Sequence, residues 1–77
     1  MNTDFHLGHL IRQELEKQQR TVTWLAKQIN VDRTVCYDIF KRRYINIEQL
    51  ESLSKVLKHN FFIDLAEYED SVVKNAT

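Results

Sequence analysis

Leu7, Leu10, Ile11 and Leu15 recur at the spacing of one helix face, while His9, Arg12, Glu16 and Lys17 fall off it, so residues 4–18 are expected to form a first helix. Across 21–41 the apolar positions Leu25, Ala26 and Ile29, then Cys36, Ile39 and Phe40, keep helical spacing and not strand alternation. That pattern predicts two short helices separated by a tight turn over Ile29, Asn30, Val31 and Asp32. Leu50, Leu53, Val56 and Leu57 mark a fourth helix ending near Lys58. From Phe61 to Tyr68 the chain reads as a final short helix with more apolar surface than one face can hide. Residues 69–77 are polar and are expected to fray. The pattern therefore predicts an all-α, compact bundle of about five helices over 1–68, followed by a polar C-terminal tail over 69–77.

The punctuation between these segments agrees with the pattern. Asn2, Thr3 or Asp4 can cap the first helix, Thr21 the second and Asp32 the third. Asn30 tolerates the left-handed backbone that lets one helix stop and another start at a sharp angle. Asn46 with Gln49 forms a capping-box pattern, Ile45 with Leu50 a hydrophobic staple, and Asn60 is the expected stop of the fourth helix. Gly8, the one glycine, costs about 1 kcal/mol relative to alanine inside a helix. It marks either a close approach of another backbone or of DNA, or a glycine tolerated in the first turns.

Seventy-seven residues make one small domain, which buries about 60–65% of its unfolded surface, so pairing with a second copy would add stability. A single cysteine, Cys36, excludes an internal disulfide and fits a reducing compartment. With no long apolar run and no signal peptide, the expectation is a cytoplasmic protein without a membrane span. Formal charge is zero, which argues against nucleic-acid binding by bulk attraction alone, but the charge is unevenly distributed. Residues 1–43 carry eight bases against five acids, and residues 44–77 three bases against six acids. The positive half contains the two short helices.

Taken together, the helix pair at 21–41 resembles the helix-turn-helix, and with its flanking helices it is similar to the phage repressor/Cro-like (XRE-type) DNA-binding domain. The resemblance covers roughly residues 5–66. Ala26 stands where the motif wants a small side chain, Asn30 where it usually has glycine, and Leu25, Ile29, Val31, Cys36 and Ile39 at its apolar positions. Val22 departs from the family, which usually has glutamine there for a phosphate contact. What the resemblance implies is a lambda-repressor-like fold, with the fourth helix packed across the motif. It also implies sequence-specific binding of double-stranded DNA, by a small repressor-type transcriptional regulator acting as a homodimer on an operator.

On the third helix, Arg33, Thr34, Tyr37, Asp38 and Lys41 fall opposite the apolar positions. Arg33 can reach guanine O6 and N7 in a bidentate way, Thr34 a base edge or thymine methyl, and Tyr37 can stack or bond to phosphate. Asp38 can accept from cytosine N4 or pair with Arg42 four residues on, the pairing being the preferred reading. Lys41, Arg42, Arg43 and Tyr44, with Thr23 and Lys27, are the expected phosphate contacts. Trp24 either covers the core edge, as preferred, or offers its indole N–H to phosphate. Phe61 or Phe62, together with Leu65, is expected to close the core, and the apolar remainder of Phe61, Phe62, Leu65 and Tyr68 is the expected dimer surface.

The other reading is a protein-interaction module on the same fold, antitoxin-like or otherwise partner-binding through Phe61 and Phe62. No catalytic constellation can be assembled, so no enzyme is expected. His6 and His9 lie three apart on a helix, but the Cys/His pairs of zinc signatures are missing. Neither a metal, a cofactor nor a small-molecule ligand is expected.

Overall fold

The computed structural model describes residues 5–76, and over these the chain is all-α, with no strand. Five helices follow in order: α1 (Leu7–Lys17), α2 (Val22–Gln28), α3 (Arg33–Lys41), α4 (Ile47–Leu57) and α5 (Phe61–Asn75). The first four helices turn their expected apolar faces inward. Leu7, Ile11 and Leu15 of α1 meet Leu25 and Ala26 of α2, Cys36, Ile39 and Phe40 of α3, and Leu50, Leu53 and Leu57 of α4 in one core. Ile45, ahead of α4, and Phe61, at the start of α5, complete it. Each fully buried Leu, Ile or Phe contributes roughly 1.5–3 kcal/mol by leaving water.

Two helices approach tightly where α1 begins and α3 ends. The Gly8 amide donates to the Arg42 carbonyl and the Leu7 amide to the Arg43 carbonyl, both at 3.0 Å. The His9 amide donates to Nδ1 of His6 at 3.1 Å and the Leu10 amide to the His6 carbonyl, also at 3.1 Å. The three first-turn amides that lack a helical partner, Leu7, Gly8 and His9, are thereby satisfied, two of them by the chain that ends another helix. A Cβ on Gly8 would meet the carbonyl oxygens of Phe40, Ile39 and Arg42, the last at 2.7 Å. The glycine is therefore set by backbone approach, the first of the two readings its position allowed.

With its one glycine used there, the chain ends helices on other residues. Gln19, Asn30 and Lys58 take positive φ of 58°, 59° and 54° after α1, α2 and α4. Asn30 suits this, whereas Gln19 and Lys58 carry a cost of roughly 1 kcal/mol each. The stop of α4 is thus Lys58 and not Asn60, which instead starts α5 by accepting the Phe62 amide at 3.0 Å. Thr21 accepts the Trp24 amide at 3.0 Å and Asn46 the Gln49 amide at 2.8 Å, as expected of caps worth about 1 kcal/mol.

Four expectations are corrected. First, the cap of α1 is His6, and the helix begins at Leu7 and not at residue 4; Asn2, Thr3 and Asp4 lie outside the described residues. Second, Asp32 occupies the cap position of α3, but its side chain makes no capping bond. Third, residues 69–75 are helical, because α5 runs to Asn75. The turns beyond Glu69 carry no buried residue, and the molecule is elongated, 43 Å by 22 Å by 19 Å. Fourth, Phe61 is 1% exposed and belongs to the core, so it is unavailable to a dimer or partner surface.

Because the atoms facing Gly8 are backbone carbonyls that no rotamer change can move, Gly8→Ala should cost about 3 kcal/mol of stability. Urea unfolding followed by circular dichroism measures it, and a loss under about 1 kcal/mol would mean the joint is looser than described.

Candidate nucleic-acid interface

The α2–α3 unit is built around the turn at Asn30. With Asn30 left-handed, the Val31 amide donates to the Ala26 carbonyl at 2.9 Å and the Asn30 amide to the Lys27 carbonyl at 3.3 Å. This pair of bonds satisfies the last carbonyls of α2 and sends the chain sharply into α3. Ala26 is buried at 4% exposure, and its small side chain lets the two helices pack directly on each other. Trp24 is half-buried against the core, the core-edge placement preferred from sequence, and the Arg20 guanidinium lies 4.4 Å from its ring centre.

With Cys36, Ile39 and Phe40 buried, α3 turns Arg33, Thr34, Tyr37, Asp38 and Lys41 outward, all exposed. Asp32, Arg33, Thr34 and Tyr37 line one shallow open concavity at the start of the helix. The Tyr37 ring is held edge-on to Phe40 at 6.0 Å, which restrains its orientation while leaving it 43% exposed. The expected Asp38–Arg42 pair does not form. Arg42 has already left the helix, at φ −86° and ψ 132°, so its side chain no longer stacks one turn above Asp38. Asp38 is left facing outward beside Thr34 and Tyr37.

Thr23, Lys27, Arg42 and Tyr44 are also exposed, Tyr44 at 51%. Among the described residues Lys27, Arg33, Lys41 and Arg42 make no ion pair, so their charge is not consumed inside the fold. Arg43 differs from them. Its Nη2 donates to the Tyr68 hydroxyl at 3.4 Å, and its guanidinium carbon lies 5.8 Å from the Tyr44 ring centre. The Tyr68 bond raises the guanidinium above its usual pKa. Behind the face, burial pushes the Cys36 thiol pKa up, which keeps it a neutral packing group.

The four residues expected at a dimer surface separate. Phe61 is in the core, Phe62 and Leu65 are half-buried against it, and Tyr68 stacks on Phe5 with ring centres 4.3 Å apart and planes 7° apart. The exposed apolar residues of α5 are Ile63, Val72 and Val73, at 55%, 42% and 65%. The wheel carries this signal, since Leu65, Val72 and Val73 fall at i, i+7 and i+8, but the surrounding polar residues conceal it.

Elsewhere, His6 and His9 stack at 3.7 Å, and no group of three or more His, Cys, Asp or Glu side chains among the described residues could hold a metal. His59 ties the α4–α5 joint to its neighbours, with Nε2 2.6 Å from Asp64 and Nδ1 3.8 Å from Glu14. Gln18 donates to Glu14 and to the Leu57 carbonyl, each at 2.7 Å. This cluster lies at the far end of α1 from the Gly8 joint and holds helices together. No helix among the described residues is long and apolar enough to cross a membrane. No family model matches the chain, and no curated protein or solved structure matches it either.

Proposed function

We propose that the protein binds duplex DNA sequence-specifically through α3, as a small repressor-type transcriptional regulator. The observation that carries this is the outward face of α3. Arg33, Thr34, Tyr37 and Asp38 are all exposed on a short helix that packs on α2, with unpaired Lys41 and Arg42 at its end. A helix is about 10–12 Å across and so fits a major groove about 12 Å wide, and nine residues of it extend about 14 Å along that groove. In this reading Arg33, at the N-terminal end, meets a guanine edge, Thr34 and Asp38 neighbouring base edges, and Tyr37 a base face or phosphate. Lys27, Lys41 and Arg42 supply the attraction to phosphate, and Arg43 joins them from the loop. Zero net charge makes non-specific attraction weak, so the acids of 44–77 keep the rest of the surface off the duplex. Repression then follows from occupancy of the operator.

One short helix reads only a few base pairs, so the protein acts on two half-sites about 34 Å apart as a homodimer. Pairing uses the exposed last turns of α5, with Val72 and Val73, and not the surface named from the sequence, which loses Phe61 to the core. The interaction-module alternative loses the same Phe61 to the core.

Selection of bound duplexes from a random pool should enrich a palindromic site, and Arg33→Ala should cost about 1–3 kcal/mol on that site while relaxing preference at one base pair per half-site. Equal weakening on every sequence would make Arg33 a phosphate contact, and no enrichment would remove the reading. Sedimentation equilibrium at micromolar concentration tests the pairing. A dimer that Val73→Glu converts to a folded monomer is expected, and a single 9.3 kDa species with and without the selected duplex would remove it.

A further inference from the structure

Three segments distant in sequence converge beyond the end of α3. Phe5, ahead of α1, stacks flat on Tyr68 of α5, at 4.3 Å and 7° between planes. Tyr68 in turn accepts a hydrogen bond at 3.4 Å from Nη2 of Arg43, in the loop between α3 and α4. Tyr44 lies under the same guanidinium, its ring centre 5.8 Å away. The backbone joins in, because the Leu7 amide bonds to the Arg43 carbonyl. A cation at an exposed bend ordinarily samples many rotamers, and a contact made by it must freeze them. Here one donor and one ring face are already engaged inside the protein.

We propose that Tyr68 is a positioning residue that preorganises Arg43 as a phosphate contact, with Phe5 fixing the Tyr68 ring. The inference rests on the DNA-binding reading above and deepens it. The last helix then does more than close the core, since its hydroxyl sets the aim of a cation at the interface. Tyr68 touches no DNA and acts through Arg43 alone. Preorganisation removes the ordering cost of one long side chain, which corresponds to about fivefold in affinity.

The test is a double-mutant cycle of Tyr68→Phe and Arg43→Ala, read as duplex affinity over a series of salt concentrations, with thermal melting to show that each variant is folded. Tyr68→Phe removes the hydroxyl and keeps the stack on Phe5. It should lower affinity about fivefold on all sequences alike, with the salt slope unchanged because the charge remains. Arg43→Ala should lower affinity and flatten the slope by about one unit, and adding Tyr68→Phe to it should change nothing further. A loss on Arg43→Ala with none on Tyr68→Phe overturns the positioning role and leaves the DNA reading standing. An equal Tyr68→Phe loss with and without Arg43 also overturns it, as a general effect of α5. If the unaltered protein binds no duplex even at low salt, the DNA reading falls and takes this inference with it.

Discussion

The arrangement of the molecule depends on one joint, the seating of the first turn of α1 on the last carbonyls of α3 at Gly8. Amides of Leu7 and Gly8 donate to Arg43 and Arg42, so the partly positive start of one helix faces the partly negative end of the other. No side chain at position 8 is compatible with that approach. Through it α1 becomes the platform for α3, and the apolar stripe Leu7–Ile11–Leu15 fixes how α3 is rotated about its own axis. The same rotation that buries Cys36, Ile39 and Phe40 exposes Arg33, Thr34, Tyr37 and Asp38. Core packing and the composition of the outward face are thus two consequences of one constraint.

The remaining elements refine that placement. Asn30 sets the angle between α2 and α3 at no steric cost, and the Asn46 cap begins α4 soon after the basic loop. Electrostatics follow topology, with unpaired cations on α2 and α3 and at the start of the loop, and most of the acids on α4 and α5. Neutral overall charge is compatible with a directed field because bases are in excess over residues 1–43 and acids over 44–77. Arg43 is where the two halves meet, held by a hydroxyl from the acidic helix.

Most of the fold was legible because local periodicity determined it. Four of the five helices follow from apolar spacing, and Thr21, Asn30 and Asn46 act where their chemistry suggested. The outward residues of α3 follow from the same spacing read from the other side. What was illegible depended on tertiary choice. Phe61 and Phe62 are adjacent aromatics, and which one enters the core depends on the angle at which α5 leaves α4, set by the left-handed Lys58 that no sequence rule favours. The length of α5 was hidden by polar residues around Val72 and Val73. Asp38 and Arg42 have helical spacing, yet α3 ends one residue too soon for them to pair. Arg43 and Tyr68 lie 25 positions apart, with no local signal linking them.

The central claim is that the outward face of α3 is the surface that meets DNA. Amide chemical-shift mapping of the isotope-labelled protein, titrated with a short duplex at low salt, tests it most directly. The account predicts that the largest shifts fall on residues 33–44, with smaller ones near Thr23 and Lys27, while the amides of α4 beyond Leu50 and of the His59 cluster stay in place. Largest shifts along α5, with residues 33–41 unmoved, would contradict it.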